Sequence, residues 1–231
     1  MNGAGSQRVL AILSGLVVTM AAGCADLDIM PTWMPFQEPA SDHLPGIVSP
    51  AERMTQLQEL SKQAQGNSPT ERQRISAELA ASISKEDDPL IRVEIIRTLG
   101  SYPGTAADAI LTAALSDTET QVREAACDAW GRRNDAEAVK LLSETLRSDV
   151  DTDVRLAAAR ALGDTKNPDA VAALGEALDD SDPAMQYRAV LSLEKVTGKN
   201  LENDVYRWQQ YVKGEQPEPT PSLAERLFHW F

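Results

Sequence analysis

The feature that most constrains the fold of this chain is a pattern of about 31 residues that repeats along it. In its clearest copy, residues 151–182, two short apolar runs are each opened by a polar residue and separated by a glycine. The pattern recurs at Ile91, Val122, Val154 and, weakened, at Met185, so the offsets are 31, 32 and 31 residues. A fixed period of this size is typical of a solenoid, in which every repeat is one supersecondary unit. The sequence therefore predicts a repeat architecture.

Each repeat is predicted to contain two helices with recognisable ends. The first helix starts at an acidic residue, whose side chain can accept hydrogen bonds from the free N–H groups of the first turn. These acidic residues are Asp88, Glu119, Asp151 and Asp182. The same helices end at a glycine, which we expect to form a left-handed C-cap. These glycines are Gly100, Gly131 and Gly163.

The second helices carry a row of leucines, and alanine is abundant in the first helices. The row consists of Leu79, Leu111, Leu142 and Leu174. A single helix pair cannot cover its own apolar face, so the pairs must stack, and small residues let them approach closely. The predicted fold is an all-α solenoid of about five stacked antiparallel helix pairs over residues 51–213, clearest at 70–198. Within it, Thr70 is expected to cap a second helix. Residues 200–211 are expected to form the last second helix, which belongs to the C-terminal cap of the solenoid at 199–213.

These residues carry a resemblance to a known family. The run V-R-x-x-A-A-x-A-L/W-G, followed by A-V-x-x-L-x-x-x-L and an Asp-rich loop, resembles the HEAT-repeat family over residues 70–198. The similarity is to its short, phycobilisome-lyase-like variety. The resemblance implies an α-solenoid superhelix. It also implies a binding scaffold more than a catalyst, because the family consists mostly of scaffolds with a few enzymes.

Three arginines form a row, each four residues after a capping acid. They are Arg92, Arg123 and Arg155. One interpretation is a stripe that binds carboxylates or phosphates. The interpretation that we favour follows from the resemblance, in which such arginines pair with an Asp of the same or the adjacent repeat. The arginines and the four capping acids would then form a structural ladder along the stack.

The first 23 residues have the composition of a secretory signal, with Arg8 followed by a short apolar run. Ala21-Ala22-Gly23 before Cys24 resembles a bacterial lipobox, which implies a diacylglyceryl group on Cys24 as the first mature residue. Residues 24–50 are then a lipidated cysteine and a Pro-rich linker. Two alternatives remain, an ordinary signal peptide cut near Ala25 and an uncut membrane anchor.

The C-terminal segment, residues 214–231, is predicted to be a Pro-rich spacer followed by a short amphipathic helix. Its apolar residues include Phe228, Trp230 and Phe231, which are candidate partner contacts. Such a short helix needs a surface to be stable in water. The surface can be the protein's own repeats, a partner protein or the lipid interface. We favour the first two, because the segment contains no basic cluster.

Composition excludes several function classes. The formal net charge of −13 would repel nucleic acid, so none is expected as a partner. Two cysteines cannot form a disulfide framework, and Cys127 falls at a small, buried position of its repeat. His43 and His229, the only histidines, lie outside the repeats, so no His-based metal site or triad fits there. We expect no catalytic residue, cofactor, metal or small-molecule substrate.

The sequence predicts a non-enzymatic, membrane-tethered scaffold that binds an unidentified protein or peptide in the bacterial cell envelope, either facing the periplasm or on the outer surface. We expect the contacts on the second helices, for example at Lys140, Ser143, Glu144, Ala173 and Glu176. The alternative is a HEAT-like lyase or isomerase acting on a tetrapyrrole (bilin) chromophore. A lyase should co-purify coloured, whereas a scaffold should not.

Overall fold

The computed structural model describes residues 48–217, which fold into ten helices without a β-strand. The first helices of the pairs are α1 (Pro50–Gln63), α3 (Pro89–Leu99), α5 (Thr120–Gly131), α7 (Thr152–Thr165) and α9 (Pro183–Thr197). The second helices are α2 (Pro69–Ile83), α4 (Thr105–Ala114), α6 (Ala136–Ser148), α8 (Ala170–Ala177) and α10 (Val205–Val212). The predicted all-α solenoid is confirmed, since each first helix packs along the next first helix and, from α3 onward, against its own second helix.

Acidic residues begin most of the first helices as predicted. The carboxylates of Asp88, Asp151 and Asp182 each accept a hydrogen bond from the backbone N–H two residues later, at 2.9, 2.9 and 2.8 Å. Glu119 stands at the equivalent position of α5, but its side chain makes no capping hydrogen bond. The prediction is therefore wrong for Glu119. The carboxylate of Glu is one methylene further from the backbone than that of Asp, and Asp is the favoured N-cap.

Two other helix starts also differ from the prediction. Ser68, and not Thr70, caps α2, because its hydroxyl accepts the N–H of Glu71 at 3.2 Å. The last helix, α10, begins at Val205 and not near residue 200, since Asp204 provides its cap. In both places several polar residues near the helix start can act as the cap, and the pattern alone does not show which one does.

The predicted leucine row forms a continuous seam. All four leucines are buried, with Leu111, Leu142 and Leu174 fully excluded from solvent. They belong to one hydrophobic cluster that runs from Ala64 to Trp208. Trp208 on α10 is itself fully buried and covers the C-terminal end of this cluster. The seam of the solenoid is thus confirmed by the burial of its residues.

The predicted left-handed conformation of the glycine C-caps is wrong, although two of the three helix ends are correct. Gly100 is the C-cap of α3 but has a helical φ of −56°, Gly131 is the last residue of α5, and Gly163 lies inside α7. The left-handed caps are instead Lys166 and Gly198, with φ values of 53° and 68°.

The repeated glycines are the points where successive first helices approach each other. A Cβ at Gly131 would lie 3.0 Å from the Cβ and the carbonyl oxygen of Ala161. At Gly163, it would lie 2.8 Å from the Cα of Ser192. These contacts include backbone atoms, which cannot rotate away. A side chain at Gly163 would therefore force the helices apart, and one at Gly131 would require a shift of a few tenths of an ångström. The glycines therefore set the spacing of the repeats.

Gly163→Ala is expected to lower the free energy of unfolding by about 2 kcal/mol, because α7 and α9 must move apart to admit the methyl group. The measurement is urea-induced unfolding followed by circular dichroism. Gly66→Ala is the matched control, because its Cβ would be in ordinary contact, 3.5 Å from the carbonyl oxygen of Gln63. Equal stability of the two variants would contradict the close-approach role of Gly163.

Candidate functional site

The loops that join consecutive repeats share one turn geometry. They contain an acidic residue at the first and third positions, in residues 86–88, 117–119, 149–151 and 180–182. In each loop the first carboxylate accepts the backbone N–H of the third residue, at 3.1, 2.9, 2.9 and 2.8 Å. Such side-chain to backbone bonds stabilise turns in place of a backbone ladder. The loops therefore form a regular acidic edge of the solenoid.

Arg92 and Arg123 connect neighbouring loops along this edge. The guanidinium of Arg92 binds both carboxylate oxygens of Asp117, at 3.0 and 3.2 Å, and that of Arg123 binds Asp149 in the same way, at 2.9 and 3.1 Å. Each arginine also donates to carbonyl oxygens of the loop before its own helix, for example to that of Asp117 from Arg123 at 3.0 Å. One side chain therefore holds two loops in register.

The ladder does not continue to the third arginine. Arg155 donates to the carbonyl oxygen of Asp149 and to the hydroxyl of Thr152, each at 3.0 Å, and has no carboxylate partner within residues 48–217. Asp180 is at the position equivalent to Asp117 and Asp149, and its carboxylate accepts the N–H of Asp182 but no guanidinium of the described part of the chain. In the last repeat Gln186 replaces the arginine and donates to the carbonyl oxygen of Asp180 at 2.8 Å.

The acids that bind Arg92 and Arg123 lie two residues before the capping positions, so the capping acids are not the partners of these arginines. Asp88, Asp151 and Asp182 already use their carboxylates on the first turn of a helix. Asp151 makes a different link between repeats, since it accepts the hydroxyl of Thr120 at 3.0 Å. The sequence does indicate these partner acids, although the prediction did not use them, because acidic residues recur at 86, 117, 149 and 180 with the repeat period.

In the arginine bridges, the ion pair favours the charged form of the groups whose pKa is shifted. Burial raises the pKa of Asp117, but the hydrogen bonds from Arg92 and from the N–H of Glu119 together outweigh burial. The pKa of Asp117 therefore lies below its usual range. Hydrogen bonds to Asp117 and Asp149 raise the pKa of Arg92 and Arg123, respectively. Because both guanidinium groups are occupied by carboxylates, neither is available to a stripe that binds external anions.

The part of the chain that the structure describes contains no cluster of three His, Cys, Asp or Glu side chains that could hold a metal ion. Cys127 is buried in α5, where desolvation raises the pKa of its thiol to about 12. A protonated, inaccessible thiol is a poor nucleophile. Between residues 48 and 217, no helix is long and apolar enough to cross a membrane.

Some of the predicted partner contacts on the second helices are wrong. Ser143 and Ala173 are buried, and the hydroxyl of Ser143 donates to the carbonyl oxygen of Val139 at 2.6 Å. Both point into the seam because residues near the leucine row share its face of the helix. Lys140 and Glu144 are exposed, and Glu176 is exposed but bound to Arg147 at 2.6 Å.

The first helix pair contains a groove that the repeat pattern did not indicate. Helices α1 and α2 hardly contact each other, whereas α1 packs on α3 and α2 packs on α3 and α4. The gap between them has a volume of about 300 Å³. Its floor includes Leu57, Leu60 and Ile95, and its rim includes Arg53 and Gln56. Arg53 is held at the rim by Glu86, 2.6 Å away. We refer to this gap as the α1–α2 groove.

The remaining predicted sites cannot be compared with the structure. The lipidation site Cys24, both histidines and the tail residues Phe228, Trp230 and Phe231 lie outside the described residues.

Comparison with known proteins identifies one family. The family model described as HEAT repeats matches residues 76–162 and 144–205, which together span more than half of the 231-residue chain. No curated protein matches the sequence significantly. The matched ranges include the four acidic loops and all of helices α3 to α9.

Loss of the Arg123 bridge is expected to destabilise the fold more than loss of an exposed pair. Arg123 and Asp149 are only 11% and 8% exposed, so Arg123→Met leaves a buried carboxylate unpaired and should lower the free energy of unfolding by about 3 kcal/mol. The control is Lys195→Met, which breaks the half-exposed pair with Asp164 and should cost about 1 kcal/mol or less. Urea unfolding of both variants tests this; equal losses would contradict the bridging role.

The Arg92 bridge is expected to make stability depend on acid. The pKa of Asp117 is lowered in the folded state from 3.8, so its contribution is present above that value and is lost as the pH falls through the lowered pKa. Arg92→Met removes the main partner. The difference in unfolding free energy between wild type and variant should therefore be constant above about pH 5 and shrink as the pH falls from there through 3.8 and below. A difference that stays constant over this range would contradict the assignment.

Proposed function

The chain belongs to the HEAT-repeat family, and on this premise we propose that it is a repeat scaffold that binds another protein. Solenoids bury one continuous seam and leave long surfaces free, which suits them to recognition of extended partners. The described repeats fit this division, since the leucine seam is buried and acids of the acidic edge bind arginines of the neighbouring repeats. The scaffold needs no catalytic group for this role.

The α1–α2 groove is the single observation that carries the proposal. Its aliphatic floor and its charged and amide rim match the surfaces at which apolar side chains of a peptide or helix are buried. Leu57 and Leu60 are only half-buried and lie at the N-terminal end of the seam, where no earlier repeat covers them within residues 48–217. A partner that covers them gains hydrophobic contact without any rearrangement of the seam.

The charge of the chain indicates what charge its partner has. The net charge is −13, and the repeated loops place acidic residues along one edge. Long-range electrostatics therefore favours a neutral or basic protein and disfavours a polyphosphate. The partner that we propose is a protein or peptide with apolar anchor residues flanked by Lys or Arg.

We further propose that the scaffold is tethered to a membrane of the bacterial cell envelope through lipid on Cys24. The support is the resemblance of residues 21–24 to a lipobox after an apolar signal-like run. Two or three acyl chains hold a protein firmly, at ~0.8 kcal/mol per buried methylene. The Pro-rich residues that follow Cys24 would space the solenoid from the bilayer surface. Phe228, Trp230 and Phe231 are proposed as a second contact with the partner.

The alternative function, a lyase or isomerase acting on a bilin, rests on the resemblance to the phycobilisome-lyase-like repeats and stays a prediction. A lyase or isomerase acting on a bilin would have to bind the chromophore, and binding would appear as a shifted visible absorbance when bilin is added to the purified protein. The scaffold proposal expects no such shift.

A photo-crosslinking amino acid at Gln56, on the rim of the α1–α2 groove, is expected to give a covalent adduct with the partner in native membranes. The adduct is identified by mass spectrometry. The matched control places the same amino acid at Tyr187, which is exposed on α9, a first helix, and distant in sequence from the groove. Adducts of equal yield from both sites, or none from Gln56, would contradict binding at the groove.

Cys24→Ala is expected to release the protein from the detergent phase of a membrane fraction, because the variant lacks the thiol that receives lipid. Immunoblotting of the detergent and aqueous phases measures the partition. Cys127→Ala is the control, since this buried thiol should not affect the partition. A Cys24→Ala variant that remains in the detergent phase would contradict lipid anchoring but not the scaffold role.

A further inference from the structure

A second groove lies between α2 and the start of α4, away from the residues that line the α1–α2 groove. Its volume is about 470 Å³, and it is lined by Arg72 and Ser76 of α2 and by Gly104, Thr105 and Ala106. The residues from α2 follow one another at helical spacing along a single face. This groove combines three kinds of hydrogen-bond donor.

The first donors are backbone N–H groups at the N-terminus of α4, a helix of ten residues. Gly104 is the N-cap, and no side chain caps this helix. The first hydrogen bond of the helix runs from the N–H of Asp108 to the carbonyl oxygen of Gly104, at 2.9 Å. The N–H groups of the preceding residues therefore point out of the helix at its positive end. A Cβ at Gly104 would meet only the Ser76 Oγ, at 4.0 Å, so the approach to them is open.

The second donor is the hydroxyl of Ser76. The residue is 2% exposed, and its Oγ has no hydrogen-bond partner within the described residues. Buried hydroxyl groups nearly always have a partner, in the protein or outside it. The position of this hydroxyl beside Gly104 directs it to the open end of α4.

The third donor is the guanidinium of Arg72, whose side chain makes no hydrogen bond or ion pair with any residue between 48 and 217. The neighbouring acids are occupied elsewhere. Glu71 accepts two hydrogen bonds from Arg74, at 2.6 and 3.2 Å, and Asp108 lies 3.1 Å from Arg133. Among residues 48–217, Arg72 is thus a cation at the groove that no nearby carboxylate pairs with.

We propose that this groove binds an oxyanion of the phosphate type. Backbone N–H groups, a hydroxyl and a planar guanidinium approach from α4 and α2, and a tetrahedral oxyanion offers acceptors in enough directions to meet all three. The acceptor sites of a carboxylate all lie in one plane, so it matches donors that approach from different directions less well than a tetrahedral oxyanion does. The site goes beyond the protein-binding role, because it needs neither the α1–α2 groove nor a partner protein.

Phosphate binding can be measured by ¹H–¹⁵N NMR on the purified chain, with inorganic phosphate as the probe and chloride at equal ionic strength as the blank. We expect the amide signals of Thr105, Ala106 and Ala107 to shift, with a dissociation constant on the order of 1–10 mM. O-phosphoserine distinguishes the source of the group. Comparable binding assigns the site to a phosphoryl group carried by a larger molecule, and binding of inorganic phosphate alone assigns it to the free ion.

Two variants test the donors. Arg72→Ala should weaken phosphate binding about tenfold, since a charge-assisted hydrogen bond is lost. The matched control is Arg97→Ala, which removes the same charge from the exposed face of α3 outside the groove and should change the affinity less than about twofold. Thr105→Asp places a carboxylate at the exposed start of α4, so it should abolish binding while it keeps or raises the thermal stability.

The proposal is overturned if chloride shifts the same amides as phosphate does, or if Arg72→Ala and Arg97→Ala bind phosphate equally. Shifts that are confined to residues outside the groove would also overturn it. None of these results bears on the scaffold role, which the crosslinking at Gln56 tests separately.

Discussion

The close approach of successive first helices is the constraint on which the rest of the solenoid depends. Gly131 and Gly163 leave room for Ala161 and Ser192 of the next first helix, at distances that a side chain would force to increase. The alanines of α5 and α7 are buried in the same contact. With the repeats at this spacing, Arg92 and Arg123 can reach the carboxylates of the next loop. The arginine bridges of the acidic edge therefore depend on small residues in the first helices.

The second helices are held less closely, and this difference explains where grooves occur. Helices α4 and α6 leave a gap of about 290 Å³ that includes Leu115 and Leu141, and α1 and α2 are separated by the α1–α2 groove. Larger side chains keep helices further apart than alanine and glycine do. The second helices can thus offer clefts between them, whereas α1, which no earlier repeat covers within residues 48–217, supplies most of the lining of the α1–α2 groove.

The parts of the structure that could be predicted are those that a local pattern specifies. The 31-residue period and the leucine row predicted the fold, and Asp88 and Asp151 predicted their helix starts, because capping depends on neighbouring residues. Gly131 was misassigned because a glycine near a helix end suits either a left-handed cap or a close contact, and only the neighbouring repeat decides between them. The α1–α2 groove and the unpartnered Ser76 depend on the distance between helices, which no single repeat encodes.

The missing bridge at Arg155 has a consequence for the dynamics of one loop. The loops before α5 and α7 are each clamped by an arginine from the preceding repeat, whereas no arginine among residues 48–217 binds the carboxylate of Asp180, in the loop before α9. The pair of Lys195 and Asp164 still joins α9 to α7, so the helices stay coupled while the loop is held less firmly. The backbone amides of residues 180–182 are therefore expected to exchange their protons with solvent faster than those of the two clamped loops.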